Sequence, residues 1–248
     1  MIIKFIIKNL KCILIGIVII YNNRLLMFLR LFDITITEKN FDEYKKSLQN
    51  PELKIVKAYG FFVEYDKDKI IDLIFGNKNL ETIDFYFCGS LNKYASKISI
   101  MLSHNMNLKI LRIGVDNFSI NTIHEIMNAL KINNTLEELS INDNLINCDG
   151  AKDIANMLIV NTTLLKLNFG LNNIGNDGFI EIIRALETNI TLIELYLEYN
   201  EILYDVVPQL MKMLEINNVI TIYGIDHLVP KDFFLNRNNC RKIKSARK

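Results

Sequence analysis

A step of 28 residues organises this sequence more tightly than any other feature. Counted from Leu80, it lands on Leu108, Leu136, Leu164, Leu192 and Ile220. Three residues later the same step gives Ile83, Leu111, Leu139, Leu167 and Leu195, and two further on Phe85, Ile113, Ile141, Phe169 and Leu197. Apolar residues at alternate positions of a short run predict a strand with one buried edge. The second half of each unit is as regular. Ile98, Ile126, Ile154, Ile182 and Leu210 form one column, and Leu102, Leu130, Leu158, Leu186 and Leu214 another. Met101, Ala129, Met157, Ala185 and Met213 form a third. Spacings of three and four put these columns on one helical face. Each unit is too small to bury its apolar face alone, so neighbouring units must stack.

Polar columns run alongside. Asn144, Asn172 and Asn200 follow the strands, where a buried carboxamide can satisfy the backbone of neighbouring turns as a ladder. Asn121, Asp149, Asp177 and Asp205 precede the helices and are expected as N-caps. Asn105, Asn133, Asn161, Asn189 and Asn217 follow the helices. Asparagine tolerates the left-handed conformation, so this column is expected to hold C-caps.

With these columns the chain resembles the ribonuclease-inhibitor-type leucine-rich repeat family. The stretch from Leu164 to Gly178 follows that pattern closely, as does the stretch from Leu136 to Ile146. The resemblance implies an α/β horseshoe solenoid, with parallel strands on the concave face and helices on the convex face. It implies little about activity, because one fold hosts many functions.

Leu53, Val56 and Ala58 repeat the strand pattern 27 residues ahead of Leu80, Ile83 and Phe85, which extends the repeats over 53–217. Residues 27–52 are expected as an N-terminal cap, with a strand-like Leu31–Ile36 and a short helix over 37–50. Residues 218–248 are expected to hold a last strand over Ile220–Ile225, a cap using Phe233, Phe234 and Leu235, and a basic segment, helical or frayed. That segment, from Arg237 to Lys248, carries six basic residues and no acid. It reads as a solvated terminus rather than a nucleic-acid arm.

Residues 1–26 are apolar and basic. Cys12–Ile20 is an unbroken apolar run, and Lys4, Lys8 and Lys11 share one helical face. The alternatives are a cap packed on the solenoid, a start of translation at Met27, a signal segment, or a membrane-surface helix over residues 1–20. The four cysteines show neither CxxC spacing nor a dense framework, so reduced thiols in the cytoplasm are expected, with membrane association as the alternative.

No phosphate loop, HExxH or GxSxG is present, and His104, His124 and His227 fall in different columns. No enzyme activity, cofactor, metal or small-molecule substrate is therefore expected. Function is expected on the concave face, at Tyr86, Phe87, Arg112, Glu138, Asp143, Lys166, Glu194, Tyr196, Glu198 and Tyr199. Aromatic residues in a groove are candidate hot spots, and the acids beside Tyr196 and Tyr199 favour a basic or mixed peptide surface. The expected function is a scaffold that binds a protein partner. The alternatives are a regulator of a small GTPase and a substrate-recognition adaptor.

Overall fold

The computed structural model describes residues 17–21, 24–32, 35–36, 38–39, 41–59, 62–63, 67–86, 91–114, 117–229 and 242–244. The N-terminal strands are β1 (Ile17–Tyr21), β2 (Arg24–Phe32) and β3 (Thr35–Ile36). Helix α1 (Phe41–Leu48) leads to β4 (Leu53–Tyr59), β5 (Phe62–Val63) and helix α2 (Lys67–Phe75). Strand and helix then alternate: β6 (Thr82–Tyr86), α3 (Ala95–His104), β7 (Ile110–Gly114), α4 (Ile120–Ile132), β8 (Glu138–Ser140) and α5 (Cys148–Val160). They continue as β9 (Lys166–Asn168), α6 (Gly175–Leu186), β10 (Glu194–Tyr196), α7 (Val207–Ile216), β11 (Thr221–Tyr223) and β12 (Ile243–Lys244).

Among the described residues ten strands form one sheet, in the order β1-β2-β4-β6-β7-β8-β9-β10-β11-β12. Every pair is parallel except β1–β2. From β6 to β11 a helix joins each strand to the next and leaves it beside its predecessor, as parallel crossovers require. The register keeps the 28-residue step from β6 to β10: Ile83, Leu111, Leu139, Leu167 and Leu195 lie in one row, each fully buried. Val56 joins that row one residue short, opposite Ile83. The helical columns pack against these strands in a single continuous core.

The asparagines after the strands form the expected ladder. Asn144 Nδ2 donates to Ile113 O (3.0 Å), Asn172 Nδ2 to Ile141 O (3.3 Å) and Asn200 Nδ2 to Phe169 O (2.9 Å). The column after the helices differs from expectation. Asn133 is extended, at φ −72° and ψ 130°, and Asn161 and Asn217 are similar. These residues are a second ladder instead of left-handed caps. Nδ2 of Asn133, Asn161, Asn189 and Asn217 donates to the carbonyls of Leu102, Leu130, Leu158 and Leu186, at 2.6–2.8 Å. Each Oδ1 accepts from the backbone two and three residues on, as Asn161 does from Thr163 and Leu164. An extended backbone suits this role because it aims the carboxamide at the previous unit.

The N-cap column is also displaced. Ser119 caps α4, its Oγ accepting from Thr122 N, and Asn147 caps α5, its Oδ1 accepting from Asp149 N and Gly150 N. Asn121, Asp149 and Asp177 lie inside the first helical turn, and Asp205 lies in the 3-10 turn Tyr204–Val206. There the acids face the positive end of the helix dipole.

At the N-terminal side, Ile17–Tyr21 pairs antiparallel with β2, and β2 pairs parallel with β4. The described part of the apolar run is thus an extended strand rather than a helical turn; Met27 lies within β2, and residues 1–16 lie outside the described residues. Among the described residues no helix is long and apolar enough to cross a membrane. At the other end, Ile243–Lys244 adds a strand beside β11, in place of the expected helix or frayed segment. Phe233, Phe234 and Leu235 lie outside the described residues.

Candidate functional site

The sheet face opposite the helices carries two rows of side chains fixed by strand register. One row runs Lys57, Asp84, Arg112, Ser140, Asn168, Tyr196, Tyr223 and Lys244. The next runs Glu138, Lys166, Glu194 and Thr221. Tyr86, Arg112, Glu138, Lys166, Glu194 and Tyr196 line one hollow of about 260 Å³, together with Ser140 and Asn168.

Charges in these rows are largely matched within the chain. Arg112 donates through Nε to Glu138 Oε1 (2.7 Å) and lies 3.4 Å from Asp84 Oδ2, which Lys57 also approaches. Burial works against the Arg112 charge, but the hydrogen bond and the negative charge of Glu138 outweigh it and raise the pKa. Lys166 Nζ lies 3.0 Å from Glu194 Oε2, and the Tyr196 hydroxyl donates to the same oxygen at 2.9 Å. Burial would raise the Glu194 carboxyl. The bonds from Lys166 and Tyr196, with the charges of Lys166 and Lys244, hold it below its ordinary value. The Tyr196 phenol is raised strongly, first by burial and then by the Glu194 hydrogen bond. Burial also raises the Tyr86 phenol. Its ring lies over Gly114, where an added Cβ would meet Tyr86 Cε1 at 2.6 Å.

Glu198 and Tyr199 line a second hollow, of about 480 Å³, with Glu201, Asp226 and His227. Glu198 is held between two glycines. A Cβ at Gly170 would meet its Oε2 at 2.7 Å, and one at Gly224 would meet its backbone N at 2.6 Å. Burial raises the Glu198 carboxyl. Asp143 and Tyr199 belong to the rim rather than to the strand face assigned to them from the repeat frame. They are equivalent turn residues beyond β8 and β10, with left-handed φ of 58° and 56°. Tyr199 is 76% exposed. Phe87 lies outside the described residues.

Tyr223 and Lys244 escaped the sequence reading. The strict step places Gly224 opposite Tyr196, but the register shortens by one residue after Ile220 and puts Tyr223 there. The signal was visible in the apolar spacing, since Ile220, Ile222 and Ile225 are all buried. Among the described residues no group of His, Cys, Asp and Glu is arranged to hold a metal ion.

A leucine-rich repeat profile matches residues 160–182, the span from the end of α5 through β9 into α6. The tropomodulin C-terminal domain of Caenorhabditis elegans superposes with a TM-score of 0.52 at 15% identity, over 60% of this chain and 92% of that one. The fold is a leucine-rich repeat solenoid. Two further leucine-rich-repeat-like likenesses are weaker. Leiomodin-1 actin-binding site 2 is 22% identical, with a TM-score of 0.46 over 54% of this chain and 78% of that one. A chain of the yeast Rad7 and Elc1 complex is 13% identical, with a TM-score of 0.49 over 89% and 67%. No curated protein matches the sequence.

Proposed function

We propose that this leucine-rich repeat chain is a non-enzymatic scaffold of the ribonuclease-inhibitor type, holding a protein partner on its open sheet face near β10 and β11. The observation that carries this reading is the aromatic group there. Tyr196 and Tyr223 are stacked and partly exposed on the face, and Tyr199, three residues beyond Tyr196, stands out from the rim. Rigid aromatic rings with one wet edge contribute large contact area at small entropy cost, which is what interface anchors need. The pre-paired charges around them need little reorganisation on binding. The partner is a protein surface of basic or mixed character, and the cysteine pattern favours a cytoplasmic setting.

Affinity capture from the native cell, quantified by mass spectrometry, tests the reading. The Tyr196→Ala/Tyr199→Ala chain should lose at least tenfold of the enriched partner while keeping its circular dichroism spectrum. Equal capture by the two chains would discard the aromatic face as the binding surface.

A further inference from the structure

The last edge of the sheet already holds a short basic segment, and its contacts describe what that edge recognises. Backbone bonds join β12 to the sheet, among them those from Ile222 N to Lys242 O (2.7 Å) and from Gly224 N to Lys244 O (3.1 Å). The edge then receives three side chains of the segment. Ile243 is 1% exposed and belongs to the core. Lys242 Nζ donates to Leu214 O and to Asn218 Oδ1. Leu214 follows Leu102, Leu130, Leu158 and Leu186 in the column whose carbonyls the second asparagine ladder binds. The ammonium therefore does for the last helix what an asparagine does for each of the four helices before it. Lys244 Nζ lies 5.6 Å from the centre of the Tyr223 ring. That ring stacks on Tyr196, whose hydroxyl is bonded to Glu194.

We propose that the β11 edge is a strand-addition site for an extended peptide of the pattern basic–aliphatic–basic, and that Lys242–Lys244 is its intramolecular occupant. This deepens the scaffold reading and rests on it for the choice of face. Strand addition uses the main chain for affinity and alternate side-chain sites for specificity. Here those sites are the open helix carbonyl, the core position of Ile243 and the cation–aromatic site of Tyr223. A two-residue strand opens at low free-energy cost, so a partner can exchange with it. Tethering gives the resident segment a high effective concentration, which keeps the edge closed against weak competitors.

The test uses the full chain and a fluorescein-labelled peptide of residues 241–248, followed by fluorescence anisotropy. Ile243→Asp places a carboxylate in the core position and disfavours the resident strand. Its chain should bind the peptide at least tenfold more tightly than the parent chain. Lys242→Ala/Lys244→Ala keeps Ile243 and the backbone, and should show a smaller gain in the same direction; it carries the test if Ile243→Asp does not fold. A peptide with glutamates at both lysine positions should not bind. Equal binding by parent and variants, no binding to a folded variant, or equal binding of the glutamate peptide would each overturn the proposal. The readout needs no native partner, so it separates failure of this edge site from failure of the scaffold reading.

Discussion

The rings of Tyr196 and Tyr223 lie 4.4 Å apart, centre to centre, and within 7° of parallel. They come from adjacent parallel strands at directly opposed positions, so the stack is a cross-strand pair made by register. A double-mutant cycle with Tyr196→Leu and Tyr223→Leu should give a coupling of about 0.5–1.5 kcal/mol in chemical denaturation, the usual range for aromatic pairs. Strict additivity would mean that the rings stack without stabilising one another.

The second asparagine ladder should matter more than the helix caps. Asn161→Ala would strand the carbonyls of Leu130 and Asn133 and the amides of Thr163 and Leu164. Buried groups without partners cost about 1–3 kcal/mol each before relaxation, so a loss of roughly 3 kcal/mol is expected. Asn147→Ala should cost about 1 kcal/mol, as a lost N-cap does. Asn121→Ala should be close to neutral. Urea denaturation of the three variants checks the order, and a large loss from Asn121→Ala would contradict the placement of the cap at Ser119.

Arg112→Met removes the cation shared by Glu138 and the buried Asp84 carboxylate. Breaking a fully buried pair costs about 3–5 kcal/mol; the partial exposure of Arg112 and the nearby Lys57 reduce this to about 2 kcal/mol. Adding Asp84→Asn should recover much of the loss, because it removes the charge left behind. Failure of the second change to rescue stability would mean that Asp84 is held mainly by other groups.

Glu198 gives a pH-dependent prediction of opposite sign to a salt-bridged acid. Its carboxyl is raised above 4.5 by burial, so the unfolded chain ionises first as pH rises. The resulting destabilisation begins near the ordinary value and is complete above the raised one. Glu198→Gln should therefore raise the melting temperature at pH 7, by roughly 1–3 °C, and leave it unchanged near pH 3.5. A stabilisation that is constant across that range would point to packing instead of ionisation.

The architecture was legible because apolar columns repeat. Leu139, Leu167 and Leu195 occupy identical environments, so each confirms the others, and periodicity alone places them inside. Polar columns were harder. A residue repeated after every helix is consistent with a cap or with a ladder, and the backbone angles and carboxamide bonds of Asn133 and Asn161 separate the two. The face was read through the same frame, which brought six expected residues into one hollow. It misplaced Asp143 and Tyr199 because strand length is not written in the apolar spacing. It lost Tyr223 where one residue is missing after Ile220, and it had no means of bringing Lys244 to the sheet, since the repeat pattern stops before it.

Asn133, Asn161 and Asn189 each stand two residues before a threonine, the triplet that enzymes of the secretory pathway use to attach sugars. In the folded chain they are at most 7% exposed and their carboxamides bind the previous unit. A glycan on any of them would occupy the nitrogen that ties one unit to the next. Folding and glycosylation at these positions therefore exclude one another: a chain modified before it folded could not close its stack, and a chain already folded would offer the enzyme nothing to reach.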